Sequence, residues 1–207
     1  MRRCVIIGGA DIAGYERIRQ SLRENDFFIC CDSGLKHAGP LEIRPDLIVG
    51  DFDSHEKPVT EIETITLPRA KDDTDTVFAA KEAVRRGFEE FLLIGVIGAR
   101  FDHTFGNVSL LMWLDSRGKK AKILDDYSEM EIVHQETAEI EDLYAYFSLL
   151  NTSGIAEEIT IRGAKYPLNG GVITSEYQYG ISNEVLPGET AKVIVGRGRL
   201  LLVKVFR

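Results

Sequence analysis

Apolar runs that alternate with helical patterns between Cys4 and Leu124 restrict the possible folds more than any other feature of this sequence. Runs such as Cys4–Ile7, Phe27–Cys31 and Phe91–Ile97 lack a polar alternation, as do strands that are buried on both faces. After the first run, apolar residues recur every three or four positions over residues 12–22, which predicts a helix. This alternation predicts a parallel sheet with right-handed crossovers and helices on both faces.

The last third of the sequence has a different character. It contains short β-type segments and no helical period. Its last two segments, Ala191–Val195 and Leu200–Phe206, are separated by Gly196-Arg197-Gly198, which is a good signal for a hairpin. We therefore predict an α/β, Rossmann-like domain with a parallel sheet at residues 1–127, followed by a smaller all-β sandwich domain at residues 128–207.

The composition restricts the partners of the chain. With 207 residues and a formal net charge of -8, it lacks the basic character that binding to nucleic acid or to an anionic membrane requires. The apolar run after Met1 is too short for a signal peptide, and no later segment is suited to span a bilayer. Cys4, Cys30 and Cys31 lie in predicted core strands, and this odd number favours reduced thiols. We therefore expect a cytoplasmic protein without a nucleic-acid or membrane partner.

Two acidic residues follow the strand that is predicted at Leu47–Val49. The stretch Pro45–Ser54 passes through Gly50, where the backbone can turn, and then presents Asp51 and Asp53. If the chain stays extended there, both carboxylates point to the same side and repel each other unless a cation lies between them. An ordinary polar turn is the alternative, since Asp and Ser favour turns for local reasons.

Other predicted strands are also followed by unusual polar residues. Because open parallel sheets bind ligands beyond the carboxyl ends of their strands, we expect these loops to form one site. Three loops supply carboxylates that suit Mg²⁺, a cation that prefers oxygen ligands and shares them with phosphates: Asp51, Asp53, Asp75 and Asp102. Other side chains in these loops suit the phosphates themselves: Lys71, Thr74 and Arg100. Helices predicted to start at Thr74 and at about Thr104 add backbone N–H donors.

Each of these residues also has a purely structural interpretation. Thr74 is a suitable helix cap, and Asp75 in a first turn complements the helix dipole. Arg100 and Asp102 are close enough in sequence to form a surface ion pair. His103 is expected to be an orienting or structural residue, because no second histidine or cysteine has ligand spacing around it. A single shared site explains all these residues together.

A dinucleotide-binding fold is the competing interpretation of the first strands. Gly8-Gly9-Ala10 follows the first strand, and Asp32 ends the second. The fingerprint of this fold requires glycine at three set positions, but Ala10 and Ala13 occupy two of them when Gly8 is the first. A hydride-transfer enzyme would also leave the acidic residues around Asp51 unexplained.

Four segments of the sequence resemble the thiamine pyrophosphokinase family. They are Pro45-Asp-Leu-Ile-Val-Gly-Asp-Phe-Asp-Ser54, Lys71-Asp-Asp-Thr-Asp75, Gly98-Ala-Arg-Phe-Asp-His-Thr104 with Asn107 beyond it, and Ile181-Ser-Asn183. They occur in the family's order and span most of the chain. Two small residues depart from the family's usual pattern, Ser33 and Ala99, each of which stands where a glycine is common. These departures affect the fine placement of the nucleotide more than the reaction.

The resemblance implies an ATP-dependent enzyme that transfers a pyrophosphoryl group to the hydroxyl group of thiamine and releases AMP. It implies that Mg²⁺ binding and proton acceptance are shared, without a division of roles, among Asp51, Asp53, Asp75 and Asp102. It implies phosphate contacts from Lys71, Thr74 and Arg100, and a position near the nucleoside for Asp32, Ser33 and Gly34. The family combines an α/β nucleotide-binding domain and a β-sandwich in a homodimer, with the site formed between subunits.

The resemblance also implies that the β domain closes the thiamine end of the site. Ser182 and Asn183 would then form hydrogen bonds with the pyrimidine ring, in the partner chain's site if the site forms between subunits. Tyr177 or Tyr179 would face the thiazolium cation. Plain packing is the alternative for the two tyrosines.

Two other functions remain open at the level of the sequence. A related pyrophosphokinase for a pterin alcohol is one, because the phosphate-binding residues do not identify the acceptor, although Ile181-Ser-Asn183 favours thiamine. A nucleotide-binding regulator without turnover is the other, and the set of four aspartates argues against it.

Overall fold

The computed structural model describes residues 2–52, 59–152 and 154–207. The chain divides into two compact units, Met1–Asp126 and Tyr127–Arg207. Among the residues described, no α-helix is both long enough and apolar enough to cross a membrane.

Parallel strands and helices alternate along the first unit. The strands are β1 (Cys4–Ile7), β2 (Phe27–Cys31), β3 (Leu47–Gly50), β4 (Glu63–Thr66), β5 (Glu90–Ile94) and β6 (Lys120–Leu124). The helices are α1 (Tyr15–Ser21), α2 (Asp75–Arg85) and α3 (Phe101–Asp115), and a short 3₁₀ helix occupies Asp32–His37. The strands lie in the order β4-β3-β2-β1-β5-β6, and neighbours in this order run parallel. The predicted α/β architecture with a parallel sheet is confirmed.

Burial of apolar side chains explains the central strands of this sheet. The four residues of β1 are all 0% exposed, and the strand pairs with β2 on one side and β5 on the other. Full burial of a large apolar side chain contributes about 1.5–3 kcal/mol. Cys4, Cys30 and Cys31 are free thiols within this buried sheet. Because its strands are parallel, their carboxyl ends meet at one edge and hold the following loops side by side.

Antiparallel strands build the second unit. They are β7 (Ser128–Val133), β8 (Thr137–Glu141), β9 (Tyr144–Leu150), β10 (Ile155–Arg162), β11 (Leu168–Thr174), β12 (Thr190–Arg197) and β13 (Leu200–Phe206). One group has the order β7-β13-β9, and the other has the order β11-β10-β12-β8. Both groups contribute to one buried cluster, for example through Phe147 and Leu202 from the first and Ile159 and Val193 from the second. The prediction of antiparallel β structure after the α/β part is confirmed.

The hairpin predicted at Gly196-Arg197-Gly198 is wrong. Strand β12 pairs with β10 and β8, whereas β13 pairs with β7 and β9, so the chain passes here from one group of strands to the other. Gly198 has a φ of +84°, and a Cβ atom there would lie 2.5 Å from the carbonyl oxygen of Ile155. Glycine is therefore required by this crossing rather than by a tight hairpin turn.

Candidate active site

Three carboxylates converge at the edge of the sheet where its strands end. Asp32 follows β2 directly, Asp51 follows β3, and Asp75 is the first residue of α2. Each offers an oxygen atom, and these atoms lie within 4.8 Å of one another. The sequence predicts Asp51 and Asp75 as members of one cluster, and the structure brings them together. Asp32, which was expected near the nucleoside, is the third member.

The backbone around Asp32 explains how this side chain reaches the other two. Asp32 has a φ of +45°, in the left-handed region that aspartate tolerates better than most residues. A Cβ atom at Gly50 would lie 3.1 Å from Asp32 Cα and 3.2 Å from its Oδ1. A larger residue at the end of β3 would therefore push Asp32 away. Ser33 and Gly34 continue the 3₁₀ helix, next to the loop that follows β1.

Lys71 provides the cation of this group. Its Nζ lies 2.5 Å from Asp51 Oδ2 and 2.9 Å from Asp75 Oδ1. The three side chains are only 16%, 13% and 20% exposed, respectively. Burial opposes the charged form of Lys71, but hydrogen bonds with the two carboxylates outweigh it and raise the pKa of this lysine. The group thus contains three carboxylates and one ammonium group, which contacts two of them, so negative charge is in excess.

Burial also determines the ionisation of Asp75. It raises the pKa of this carboxyl group, and the negative charges of Asp51 and Asp32 raise it further, while Lys71 lowers it. A carboxylate in this position gains from an additional cation. Oxygen ligands from carboxylates are the donors that Mg²⁺ prefers, so the donor set fits this ion.

The backbone after β3 differs from the extended conformation considered for the sequence. The strand ends at Gly50, whose carbonyl accepts a hydrogen bond from Leu67 N at 2.9 Å. Phe52 then has a φ of +52°, so the chain turns at this residue. An extended path through Phe52 is therefore wrong. Asp53 lies outside the described residues, and its part in the cluster stays a prediction.

Thr74 caps helix α2. Its backbone is extended, and its Oγ1 accepts a hydrogen bond from Val77 N at 3.3 Å. The capping interpretation of Thr74 therefore describes an observed contact, and a contact with phosphate stays a prediction. The cap fixes the start of α2, which carries Asp75 into the acidic group.

Helix α3 begins three residues earlier than expected, at Phe101 rather than at about Thr104. Asp102 is therefore in its first turn, where Asp102 Oδ2 lies 2.5 Å from Arg100 Nη2. Their side chains are 65% and 70% exposed, and the hydrogen bond with Arg100 lowers the pKa of Asp102 to about 2. Asp102 is not a member of the acidic group among the described residues. The surface ion pair is the contact that the structure contains.

Two polar side chains fasten the loop between β5 and α3. Thr104 Oγ1 lies 3.0 Å from Gly98 N, which donates to it, and 3.2 Å from the carbonyl oxygen of the same residue. Asn107 is buried and donates from Nδ2 to the Val96 carbonyl at 2.8 Å. Both residues therefore shape the loop that presents Arg100.

His37 is a structural residue of the site that sequence reasoning missed. It ends the 3₁₀ helix that Asp32 begins, and it is 1% exposed. Its Nε2 lies 2.9 Å from the Ala10 carbonyl, which only accepts, so Nε2 carries the hydrogen. Its Nδ1 then accepts a hydrogen bond from Tyr15 Oη at 2.8 Å. Burial lowers the pKa of His37, in agreement with a neutral ring.

The residues predicted to contact thiamine lie in the second unit. Ser182 is exposed, has a φ of +59°, and donates its backbone N–H to Ser148 Oγ at 3.0 Å. Asn183 is 5% exposed, and its side chain binds backbone groups: Oδ1 accepts from Tyr166 N and Glu184 N, and Nδ2 donates to the Tyr166 carbonyl. Asn183 thus shapes this segment, whereas Ser182 is accessible.

The two tyrosines of the second unit form an exposed pair. Tyr177 and Tyr179 are 69% and 42% exposed, and their ring centroids are 5.4 Å apart. Tyr179 Oη also donates to the Val172 carbonyl at 2.8 Å. Their large exposed area leaves them accessible to a ligand.

The chain is similar to known proteins over almost its whole length. Residues 18–124 match the family model described as the catalytic domain of thiamin pyrophosphokinase, and residues 131–200 match the one described as its vitamin B1 binding domain. A thiamine pyrophosphokinase of Bacillus subtilis (strain 168) is 29% identical over 188 residues, which cover 85% of this chain and 83% of the relative. The catalytic-domain match includes Asp32, Asp51, Lys71 and Asp75.

Solved structures agree with these matches. The structure of thiamine pyrophosphokinase from Bacillus subtilis has a TM-score of 0.85 at 23% identity and covers 100% of this chain and 99% of its own. The enzyme from Geobacillus thermodenitrificans has a TM-score of 0.83 at 26% identity, with 100% and 98% covered. The enzyme from Candida albicans has a TM-score of 0.79 at 14% identity, with 100% and 89% covered. At such low identity, the Bacillus subtilis and Candida albicans structures establish the fold alone.

Proposed function

The chain belongs to the thiamin pyrophosphokinase family, and we propose that it transfers the pyrophosphoryl group of ATP to the hydroxyl group of thiamine. The products are thiamine diphosphate and AMP. The observation that carries this proposal is the group formed by Asp32, Asp51, Asp75 and Lys71 at the carboxyl ends of parallel strands, where such sheets bind nucleotides.

The aspartates would bind the metal ion, and the neighbouring cations would bind the phosphates of ATP. Asp32, Asp51 and Asp75 would hold Mg²⁺, together with Asp53 as the sequence predicts. Asp102, which the sequence also predicts as a ligand, pairs with Arg100 in the structure. When bound, Mg²⁺ neutralises charge on the phosphates. Lys71 and Arg100 carry positive charges that suit the phosphate oxygens, and the start of α2 after Thr74 adds backbone N–H groups.

The chemical step needs a proton acceptor and an oriented alcohol. The thiamine hydroxyl attacks the β-phosphorus, the bond from this phosphorus to the oxygen of the α-phosphate breaks, and AMP leaves. The hydroxyl proton goes to an acceptor at the site, for which an aspartate of the acidic group is suited. Restricted water access around Asp51 and Asp75 supports this role, because their side chains are only 13% and 20% exposed.

We also propose the remaining properties that the family resemblance implies. The first unit would be a Rossmann-like ATP-binding domain, and the second a β-sandwich that binds thiamine and forms a homodimer. Ser182 is the accessible candidate for a hydrogen bond to thiamine, and Asn183 would support the segment that carries it. Buried free thiols at Cys4, Cys30 and Cys31 support a cytoplasmic location.

A single assay tests the proposed reaction. The protein is incubated with ATP, Mg²⁺ and thiamine, and AMP and thiamine diphosphate are measured. We expect equal amounts of both products. AMP formation with a pterin alcohol but not with thiamine would favour the related pyrophosphokinase instead. Tight nucleotide binding without turnover for any acceptor would favour a regulator.

A further inference from the structure

Lys71 contacts two of the carboxylates that would hold the metal ion. Its ammonium group lies 2.5 Å from Asp51 Oδ2 and 2.9 Å from Asp75 Oδ1, and its side chain is 16% exposed. The two carboxylates, rather than solvent, compensate the positive charge of this lysine. Asp32 brings a third carboxylate oxygen to within 4.8 Å of those of Asp51 and Asp75.

We propose that Lys71 competes with a divalent cation for Asp51 and Asp75, and that the phosphates of a bound nucleotide end this competition. This inference rests on the proposed function. An ammonium group and a divalent cation cannot share the same carboxylate oxygens without strong mutual repulsion. A metal ion that binds without nucleotide must therefore displace Lys71 from two ion pairs. When nucleotide binds together with the metal ion, its phosphate oxygens become new partners for the displaced ammonium group.

The competition makes binding of metal and nucleotide interdependent. Lys71 weakens the binding of metal alone, and it strengthens the binding of nucleotide once metal is present. Because such coupling is reciprocal, each ligand increases the affinity of the protein for the other by the same factor. The site is then filled by the metal–nucleotide complex rather than by either ligand alone.

The exposed pair formed by Lys81 and Asp73 provides a matched control. Lys81 Nζ lies 2.8 Å from both carboxylate oxygens of Asp73, and the two side chains are 46% and 31% exposed. This ion pair is close to the site in sequence but uses none of the three converging aspartates. Lys81→Gln therefore removes the same charge as Lys71→Gln without changing the competition.

The experiment measures Mn²⁺ binding by electron paramagnetic resonance, with and without α,β-methylene-ATP, whose bond between the α- and β-phosphates cannot be broken by transfer. We expect Lys71→Gln to bind Mn²⁺ alone about tenfold more tightly than the unmodified protein, and Lys81→Gln to match the unmodified protein. We also expect the nucleotide to increase Mn²⁺ affinity much less in Lys71→Gln. Equal or weaker binding of Mn²⁺ alone by Lys71→Gln would overturn the proposal.

Two further variants keep the outcome decisive. Lys71→Met is neutral and retains the apolar stem, so it replaces Lys71→Gln if the latter does not fold. Lys71→Arg keeps the positive charge and should bind Mn²⁺ as weakly as the unmodified protein; tight binding by this variant would contradict a competition between charges.

If the unmodified protein makes AMP normally but Mn²⁺ binding is the same in all variants, only this inference fails. If it neither makes AMP nor binds Mn²⁺ with nucleotide, the proposed function fails.

Discussion

Asp51 is largely buried and forms an ion pair with Lys71, so its negative charge is directed at the site and is only weakly screened by solvent. Its side chain is 13% exposed and contacts Lys71. We predict that Asp51→Asn lowers the rate of AMP formation by at least about 100-fold, the loss typical when one stabilising group is removed from a transition state. Asp53→Asn should have a similar effect. Circular dichroism should show an unchanged fold for both.

Asp73→Asn is the control for these two substitutions, because Asp73 pairs with Lys81 at the surface. Its AMP formation should stay near that of the unmodified protein. Near-normal activity of Asp51→Asn or Asp53→Asn would remove that residue from the metal-binding group.

Asp102 presents two interpretations that kinetics can separate. The structure pairs it with Arg100, and both side chains are largely exposed. If Asp102 only orients Arg100 towards phosphate, Asp102→Asn raises the KM for ATP by about tenfold and changes kcat by less than about threefold. We expect this result from steady-state assays with varied ATP. A fall in kcat as large as that of Asp51→Asn would instead make Asp102 a metal ligand.

Asp75 illustrates a functional charge that costs stability. Burial raises its pKa above 3.8, so the folded chain holds this proton at pH values where the unfolded chain has lost it. Stability therefore falls as pH rises from about 3.8 through the raised pKa. We predict that Asp75→Asn, measured with EDTA at pH 7, has a higher Tm than the unmodified protein, because the uncharged side chain does not lose stability as pH rises.

The dependence on pH checks the cause of this stabilisation. The difference in Tm between Asp75→Asn and the unmodified protein should shrink as pH falls towards 3.8, since both then carry an uncharged group at this position. A difference that is constant over this range would show that packing, and not ionisation, is responsible.

At the scale of elements, the 3₁₀ helix Asp32–His37 carries an acidic residue at its start and an anchor at its end. The anchor is His37, which joins the Ala10 carbonyl and Tyr15 Oη. We predict that His37→Ala lowers the free energy of unfolding by about 1–3 kcal/mol, because the partly buried Ala10 carbonyl loses its hydrogen-bond donor. It should also lower kcat, since the helix no longer holds Asp32 firmly.

A conservative variant separates positioning from general destabilisation. Glutamine can donate from a position similar to that of Nε2, so His37→Gln should recover most of kcat. Tyr15→Phe removes only the hydroxyl donor and should lower the free energy of unfolding by about 0.5–1.5 kcal/mol. Equal kcat values for His37→Ala and the unmodified protein, measured on folded protein, would limit His37 to a role in stability.

The sequence predicts elements well where burial is uniform along them. The strand after Pro45 and helix α2 follow from apolar runs and spacing, and the structure contains both. Strand β8 has only a weak apolar signal in the sequence, because Ile140 is the one buried residue among its five. The start of α3 was missed because Arg100 precedes it without a side-chain cap, while Thr104 bonds to Gly98 instead of capping.

The sequence predicts where the site lies better than it predicts which residues form it. The pairing of Asp51 and Asp75 follows from loops at adjacent strand ends. The third carboxylate requires a left-handed backbone at Asp32 and a glycine opposite it at Gly50, and this fit between two strands has no local signature. The exposed pair of Arg100 and Asp102 depends likewise on where α3 begins.

At the scale of the whole molecule, the two ends of the parallel strands differ in their charges. The carboxyl ends carry the candidate site, and the amino ends carry ion pairs that stabilise the fold. At the carboxyl ends of the strands, three carboxylates lie together and only two of them pair with Lys71, so negative charge is in excess. At the amino edge, charges are matched in pairs. Arg3 precedes β1 and binds Asp26, which precedes β2, through Nη2–Oδ2 at 2.6 Å and Nε–Oδ1 at 3.0 Å. The excess negative charge at the carboxyl ends favours binding of a cation, whereas the paired charges at the amino ends stabilise the fold.

This separation predicts a substitution that affects stability alone. The side chains of Arg3 and Asp26 are 9% and 0% exposed, so Arg3→Ala leaves a buried carboxylate without its cation and should cost about 3–5 kcal/mol in urea unfolding. Arg23→Ala is the control at the same edge: its pair with Glu90 is 47% and 32% exposed, and its loss should cost at most about 1 kcal/mol. AMP formation per folded molecule should be unchanged in both variants, because neither residue is near the carboxyl ends of the strands. A loss of kcat in Arg3→Ala comparable to that of Asp51→Asn would show that the two edges are coupled.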